Sequence, residues 1–396
     1  MRARAAVAFG SALLALLCFG LWLGGHPEKL PGFLRDAFVA SPAGLTAEAA
    51  EVIQNNYYRS VDDRELGDAS LQGMVRELRR RHEDRFTEYF SPESLERFSQ
   101  QIEGRFSGIG LTVAQVKRGL RTTRVFGGSP AAEAGIEPGD TIVSVDGESI
   151  AGQSSAEATA KIKGPEGTEV TIGVLDAKSG KARELTLTRA EVSLPNVSSR
   201  IESVRGRRLG YIRMLSFSVD AHAALAEAVR RIEAEGAEGI VLDLRANPGG
   251  LLEEAVRSAS IFLPEGKVVV STASRTQGRS VHETVGGRLT SLPVIVLIDR
   301  NTASAAEILA AALADVGGAT VIGTRSFGKG VFQEEKRLSN GGALKLTIGE
   351  YFTAEGVNLA NSRGIHPDVV ARNDPATGAD EAAERALGVL AGQVPG

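Results

Sequence analysis

Four short segments of the chain hold hydroxyls, amines and glycines in patterns suited to chemistry. The first is Asn301-Thr302-Ala303-Ser304-Ala305-Ala306-Glu307. An apolar run, residues 293–298, ends just before it, and an alanine- and leucine-rich stretch begins near Ser304. Ser304 therefore stands where a strand ends and a helix starts, the place where reactive groups gather in open α/β sheets. First-turn N–H groups and the helix dipole favour negative charge there. The segment is not a G-x-S-x-G elbow. Taken alone, it reads more simply as a helix capped by Thr302 or Ser304.

The second segment, Gly323-Thr324-Arg325-Ser326-Phe327-Gly328-Lys329-Gly330, is one residue short of a phosphate-binding loop. Gly330 stands where serine or threonine would bind magnesium. The residues after it, Val331-Phe332-Gln333-Glu334, read as a strand rather than the required helix. Nucleotide binding is therefore rejected, and Lys329 is either a surface lysine or one held for chemistry. The third segment, Asp243-Leu244-Arg245-Ala246-Asn247-Pro248-Gly249-Gly250, runs from a buried strand into a paired-glycine turn. Such turns aim backbone N–H groups at a common point, as an oxyanion site needs, but a plain strand-to-helix turn fits equally. The fourth, Ser107-Gly108-Ile109-Gly110-Leu111, precedes a strand. It suits capture of a peptide carboxylate by backbone amides, with the peptide added to the strand edge, or else an ordinary hairpin loop. The five histidines form no metal motif such as H-E-x-x-H, and no local signal supports a Ser-His-Asp triad.

The elements that must position these segments follow from hydrophobic period. Residues 45–105 keep helical spacing, with a serine-proline-acid helix start at Ser91-Pro92-Glu93. Arg79-Arg80-Arg81-His82 reads as a solvated helix end. Residues 104–190 turn to short glycine-punctuated strands at 109–116, 120–125, 140–145, 169–175 and 182–188, with a capped turn of helix at Ser129–Gly135. From about Arg208 the rhythm is strand–helix–strand. The continuous apolar runs at 239–244 and 293–298 suit strands covered on both faces. Helices are expected at 251–262, 303–316 and 379–390, and a strand at 320–323. The expected class is α/β.

The chain of 396 residues has two or three domains by length, and its 42% apolar and 24% charged content is that of a folded protein. A net charge of −4 and 5% aromatics supply neither the field nor the stacking platform for nucleic acid. The single cysteine, Cys18, excludes an intramolecular disulfide and a cysteine-type zinc site. Arg2 and Arg4 precede an uncharged stretch, 5–25, long enough to span a bilayer. Its exit, Trp22-Leu23-Gly24-Gly25, is a poor cleavage signal, so an uncleaved anchor is expected, with a cleaved signal as the alternative. The basic amino end then places the remainder outside the cytoplasm, in the periplasm or cell envelope.

Taken together and in this order, the four segments resemble the carboxyl-terminal processing peptidases, Ser/Lys endopeptidases that carry a PDZ domain. The resemblance runs from about Leu45 to Val370. It covers the Gly108–Leu111 carboxylate loop, the Ser129-Pro130-Ala131 and Gly135–Asp140 runs, the D-L-R-x-N-P-G-G turn, the Ser304 segment and the Lys329 segment. The fold it implies is a crotonase/ClpP-like α/β peptidase body at 191–372 with a PDZ domain at 106–190. A signal or anchor at 1–27, a helical region at 28–105 and a helical tail at 373–396 complete the chain. The implied catalytic roles are Ser304 as nucleophile, Lys329 as general base and Gln333 as its orienting partner. Ala305 with Gly249 or Gly250 would form the oxyanion hole. Gly108, Ile109, Gly110, Leu111 and Lys163 would serve substrate binding. Lys163 stands where the family commonly has arginine, which keeps the charge but loses the bidentate fork. Arg85 stands where it commonly has proline. No metal or cofactor is implied. The implied partners are polypeptides with apolar carboxyl termini, an activating lipoprotein adaptor or upstream protease, and a second copy in a dimer.

The chemistry sets one demand. A lysine amine of pKa ~10.4 is protonated at neutral pH. Service as a base needs a value of about 7–8, roughly 4 kcal/mol of differential destabilisation supplied by desolvation, with no carboxylate near enough to restore the charge. Gln333 adds hydrogen bonding without charge, and Glu334 and Glu335 should point away. The competing reading is a catalytically silent PDZ-type peptide-binding scaffold, against which stand the retained Ser304 and Lys329. A trypsin-like protease with a PDZ domain would need a G-N-S-G-G run, which is absent.

Overall fold

The computed structural model describes residues 42–374 and 376–394. The apolar segment 5–25 and Cys18 lie outside the described residues. Among the described residues no helix is long and apolar enough to cross a membrane. The described residues divide into two units, one of 42–91 with 337–345 and the other of 92–336 with 346–374 and 376–394.

The first unit opens with helices α1 (Pro42–Asn56) and α2 (Asp63–His82). Asp62 caps α2 by accepting the Arg64 N–H at 2.8 Å. Asp63 and Glu65 occupy its first turn and Arg79 to His82 its last, charges of the signs the helix dipole favours. Arg80 and Arg81 pair with Glu77 on the solvated surface, as expected for a helix end. The helical reading of residues 45–105 needs one correction. Glu88–Phe90 is a strand, β1, antiparallel to residues 343–345. Tyr89 and Phe90 are buried, and two consecutive aromatics fit a pleated, packed surface better than a helix.

The second unit begins with α3 (Pro92–Glu103), starting at the expected proline, and β2 (Arg105–Gly108). A small module follows: β3 (Leu111–Val116), β4 (Gly119–Val125), α4 (Pro130–Glu133), β5 (Thr141–Val145), β6 (Glu148–Ser149), α5 (Ser155–Ile162), β7 (Glu169–Leu175) and β8 (Ala182–Thr188). The order β3-β4-β5-β7-β8 leaves β3 at an edge. Alternating residues such as Ile142, Val170, Ile172 and Val174 build its own core. Next, β9 (Ala190–Ser193) pairs with β2, closing the module at its two ends.

The body is a six-stranded sheet in the order β10-β11-β12-β15-β16-β19. Its strands are β10 (Val197–Val204), β11 (Arg207–Met214), β12 (Ile240–Asp243), β15 (Val294–Ile298), β16 (Thr320–Gly323) and β19 (Val369–Val370). β10 is antiparallel to β11; every other pairing is parallel. One face packs on α6 (Ala221–Ala234), α7 (Leu252–Phe262) and α8 (Ala305–Asp315). The other packs on α9 (Glu381–Gln393). Double cover explains why β12 is buried along its whole length and reads as an unbroken apolar run. A second, antiparallel layer holds β13 (Val268–Ser274), β14 (Gly278–Glu283) and the 349–353 part of β18 (Ala343–Thr353). β17 (Val331–Arg337) follows the Lys329 segment, as expected. The mixed α/β fold agrees with the sequence reading, and helix and strand limits differ from it by a few residues.

One ionic cluster pins the carboxyl-terminal helix to the sheet. Asp243, fully buried, accepts the Tyr211 hydroxyl at 2.6 Å and Arg245 Nη2 at 2.8 Å. Arg245 also reaches Asp380 at 2.6 Å, and Asp380 caps α9 through the Ala383 N–H. The bond to Arg245 holds the Asp380 carboxyl down at about 2. A depressed carboxylate stabilises the fold above its unfolded value of ~3.9 and loses that contribution as the pH falls toward its folded value. Asp380→Ala should lower stability at pH 7 by about 1 kcal/mol. Thermal melts of both proteins across pH should show this gap closing between about pH 4 and pH 2; a gap independent of pH would mean the charge contributes nothing.

Candidate active site

Parallel strands β12, β15 and β16 end side by side, and the loops that leave them are stitched together. The Leu244 carbonyl accepts the Thr302 hydroxyl at 2.9 Å, and the Asn247 carbonyl accepts the Ala303 N–H at 3.0 Å. Asp299 accepts the Ala246 N–H at 3.0 Å, and the Thr302 carbonyl accepts the Phe327 N–H at 3.0 Å. The glycine turn, the Ser304 loop and the Lys329 loop thus form one surface at the carboxyl ends of the strands, the position that sheet geometry favours for a site.

Ser304 immediately precedes α8 with φ 57° and ψ −123°. A non-glycine residue there carries about 1–3 kcal/mol of strain and stays only when its surroundings hold it. Two bonds do so. Its N–H donates to Glu307 Oε2 at 2.9 Å, and its carbonyl accepts the Ile308 N–H at 3.0 Å. The Tyr351 phenol, from β18, donates to the Lys329 carbonyl. Burial and the Glu307 charge push the Tyr351 phenol up, so it stays a neutral donor.

Gly249 backs directly onto the serine. A Cβ there would lie 2.8 Å from Ser304 Cβ and 2.9 Å from the Ala305 nitrogen, and its φ of 96° also suits only glycine. Of the two glycines expected to offer an N–H, Gly249 has already donated its own to Asn247 Oδ1 at 2.9 Å. The Gly250 N–H makes no bond among the described residues. The Ala305 N–H sits in the first turn of α8, where an amide lacks a partner within its helix.

The Lys329 amine donates to Gln333 Oε1 at 2.8 Å, and Gln333 Nε2 donates to Thr347 Oγ1 at 3.3 Å. Glu334 turns to Lys336 and Gln277, away from the lysine as expected. Strand alternation puts Glu335 on the Gln333 face instead, two residues further along.

Glu307 joins the two loops and was not singled out from sequence. Its carboxylate has no exposed surface. Oε2 accepts the N–H of Ser304 and the N–H of Lys329, at 2.9 and 3.0 Å. Oε1 accepts the Ser326 hydroxyl and the Gly328 N–H, the latter at 2.7 Å. Burial raises its pKa, and these four donors oppose that rise. A carboxylate therefore stands close to the lysine loop, with its oxygens committed to backbone and serine donors. The signal for it was present: Ser304-x-x-Glu307 is the spacing of a capping box. Thr347 and Tyr351 lie on β18, about 20 residues beyond Lys329, and carry no local motif.

The structure brings Ser304, Ala305, Gly249, Gly250, Lys329 and Gln333 to one place. Gly108 to Leu111 and Lys163 lie in the small β module. Gly110 has φ 82° and a Cβ there would meet the Ser129 side chain at 2.2 Å. Its carbonyl accepts the Phe126 N–H at 3.0 Å, and the Ile109 carbonyl accepts the Ala131 N–H at 2.9 Å. The amides of Ile109 and Gly110 make no bond among the described residues and sit at the head of the open edge of β3. The Ile109 side chain is buried in the module's core. The Lys163 amine lies 5.7 Å from the Phe106 ring centroid, and the Ser107 hydroxyl donates to the Gly164 carbonyl at 2.7 Å. Among the described residues no group of His, Cys, Asp and Glu is arranged to hold a metal ion.

Known proteins resemble this chain in sequence and fold. Residues 208–371 match the model of peptidase family S41, and residues 122–176 match that of the PDZ domain. The chain is 34% identical to carboxy-terminal processing protease CtpA of Bacillus subtilis, over 82% of this chain and 68% of that protein. It is 36% identical to a carboxyl-terminal-processing protease of Synechocystis, over 79% and 72%. Among solved structures, the photosystem II D1 C-terminal processing protease is similar at 27% identity with a TM-score of 0.50, covering 87% of this chain and 96% of that one.

Replacing Glu307 should separate geometry from fold. Glu307→Gln keeps the volume but turns one acceptor into a donor facing backbone N–H groups. A fall in turnover of at least about tenfold is expected, with a loss of stability of about 1–3 kcal/mol. Turnover equal to the parent, measured beside a thermal melt, would show that the shared carboxylate does not position the site.

Proposed function

The chain belongs to the carboxyl-terminal processing proteases of peptidase family S41, and from that premise we propose that Ser304 and Lys329 are its catalytic dyad. The Ser304 hydroxyl attacks the peptide carbonyl, forming the C–O bond while its proton passes to the Lys329 amine. The N–H groups of Ala305 and Gly250 hold the developing oxyanion. The C–N bond then breaks, Lys329 returns the proton to the leaving amine, and water hydrolyses the acyl-enzyme by the same route. Gln333 keeps the amine aimed and adds no charge. The observation that carries this reading is the single Glu307 oxygen that takes both the Ser304 and the Lys329 backbone amides. It sets nucleophile and base in one frame.

The β module, residues 106–190, serves in this reading as a PDZ domain for the tails of polypeptide substrates. The open Ile109 and Gly110 amides suit a terminal carboxylate, and the free edge of β3 suits an added strand. Leu111 and Val113, partly buried against the module's core, favour an apolar tail. The body at 191–372 carries the chemistry, and the tail from 373 secures it. The uncharged stretch 5–25 supports an anchored protein acting outside the cytoplasm, in the periplasm or envelope. Exposed Leu45, Val52 and Met74 on α1 and α2 suit a dimer contact. An activating lipoprotein adaptor or upstream protease would act through the PDZ domain or the amino-terminal region.

An unfolded substrate with an apolar carboxyl terminus tests the dyad. Ser304→Ala and Lys329→Ala should each lower cleavage at least about 10³-fold with the melting temperature retained. The base must be neutral to work, so parent turnover should rise with pH and fall on acidification. A Lys329→Ala protein retaining parent activity would remove the base from the mechanism.

A further inference from the structure

The far end of the β3 edge carries a feature that carboxylate capture does not use. Lys117 and Arg118 form the tip of the β3–β4 hairpin, and Arg121 follows on β4. Together with Gln115, Gly152 and Leu175 they line an open hollow of about 710 Å³. All three basic side chains are exposed, and none is ion-paired among the described residues. Nearby acids are committed elsewhere. Asp140 pairs with Arg183, Glu148 with Lys161, and Asp176 accepts from the Ser179 hydroxyl and the amides of Lys178 and Ser179. Three uncompensated cations around one concavity leave a local positive potential on a chain that is net negative.

Position gives this patch a meaning. β3 is an edge strand with Gly110 at its start and Lys117 just past its end. A polypeptide whose carboxylate sits on the Ile109 and Gly110 amides, and which adds to β3, runs antiparallel to it. At ~3.3 Å per residue, it reaches the hairpin tip about five to seven residues before its own end. Gln115 Nε2 donates to the Gln153 carbonyl at 3.0 Å, which ties this end of the edge to the loop before α5. The hollow runs from the hairpin tip across Thr141 of β5 to Leu175 of β7, and an upstream stretch leaving the groove would pass its rim at Lys117 and Arg118.

We propose that Lys117, Arg118 and Arg121 form an upstream specificity site that selects polypeptides with acidic side chains about five to seven residues before an apolar carboxyl terminus. The proposal rests on the PDZ reading above and adds a charge requirement to it. Complementary charge at the rim of a binding surface acts chiefly on partner choice and association, and salt screens it.

Labelled peptides sharing one apolar carboxyl-terminal end, but with Asp/Glu, Ser/Gly or Lys upstream, test this against the full chain carrying Ser304→Ala. The acidic peptide should bind about tenfold more tightly than the lysine peptide at low salt, and the difference should shrink at high salt. Lys117→Glu with Arg118→Glu and Arg121→Glu should reverse the order, and tighter binding of the lysine peptide by that variant shows that it is folded. Equal binding of acidic and lysine peptides overturns the upstream site while leaving carboxylate capture intact. Equal binding of free-acid and amidated peptides instead overturns the PDZ reading beneath it.

Discussion

A carboxylate with no exposed surface is tolerable only when its lone pairs are filled. Glu307 fills them with the amides of Ser304, Gly328 and Lys329 and the hydroxyl of Ser326. Ser326, Gly328 and Lys329 belong to the loop leaving β16 and Ser304 to the helix start after β15, so satisfying one side chain fixes the mutual placement of two loops. The strain at Ser304 becomes affordable by the same means, because its N–H has no other acceptor as good as a buried carboxylate. Gly249 then closes the third side by contact rather than by charge, since no side chain fits between it and Ser304. Three loops that are remote in sequence are thereby held in a frame that no single one of them could maintain.

The same body handles charge in two opposite ways. At the Arg245 cluster it surrounds a guanidinium with two carboxylates and a phenol, which keeps every group ionised or donating and ties α9 to the sheet. Around Lys329 it supplies an uncharged amide, Gln333, and spends the nearby carboxylate on backbone donors. The apolar α8, buried along almost its whole length, keeps water from the rear of this site.

What was readable in the sequence divides along physical lines. Strands covered on both faces announce themselves as apolar runs, so 240–243 and 294–298 lay where expected. Ser304, Lys329, Gln333 and the glycine pair were readable because each sits in a short segment whose composition is constrained locally. Glu307 was readable only as a helix cap: its spacing from Ser304 signals the one donor at the helix start, but nothing local signals Ser326, Gly328 and Lys329 arriving from the next loop. Tyr351 and Thr347 were unreadable for the same reason, since pairing between β17 and β18 decides what they face. The strand at Glu88–Phe90 was misread because helical period on both sides masked three residues whose partners, 343–345, lie some 250 positions later.

Recognition and chemistry also differ in how rigid their surroundings must be. The Ser304 frame is built from buried bonds to Glu307, so change there costs stability. The hairpin tip at Lys117 and Arg118 is exposed, and neither residue belongs to the module's core. Charge on such a rim can vary without disturbing Ile142 or Ile172 beneath it. A solvated hairpin tip and a saturated buried carboxylate thus differ in how much change each tolerates.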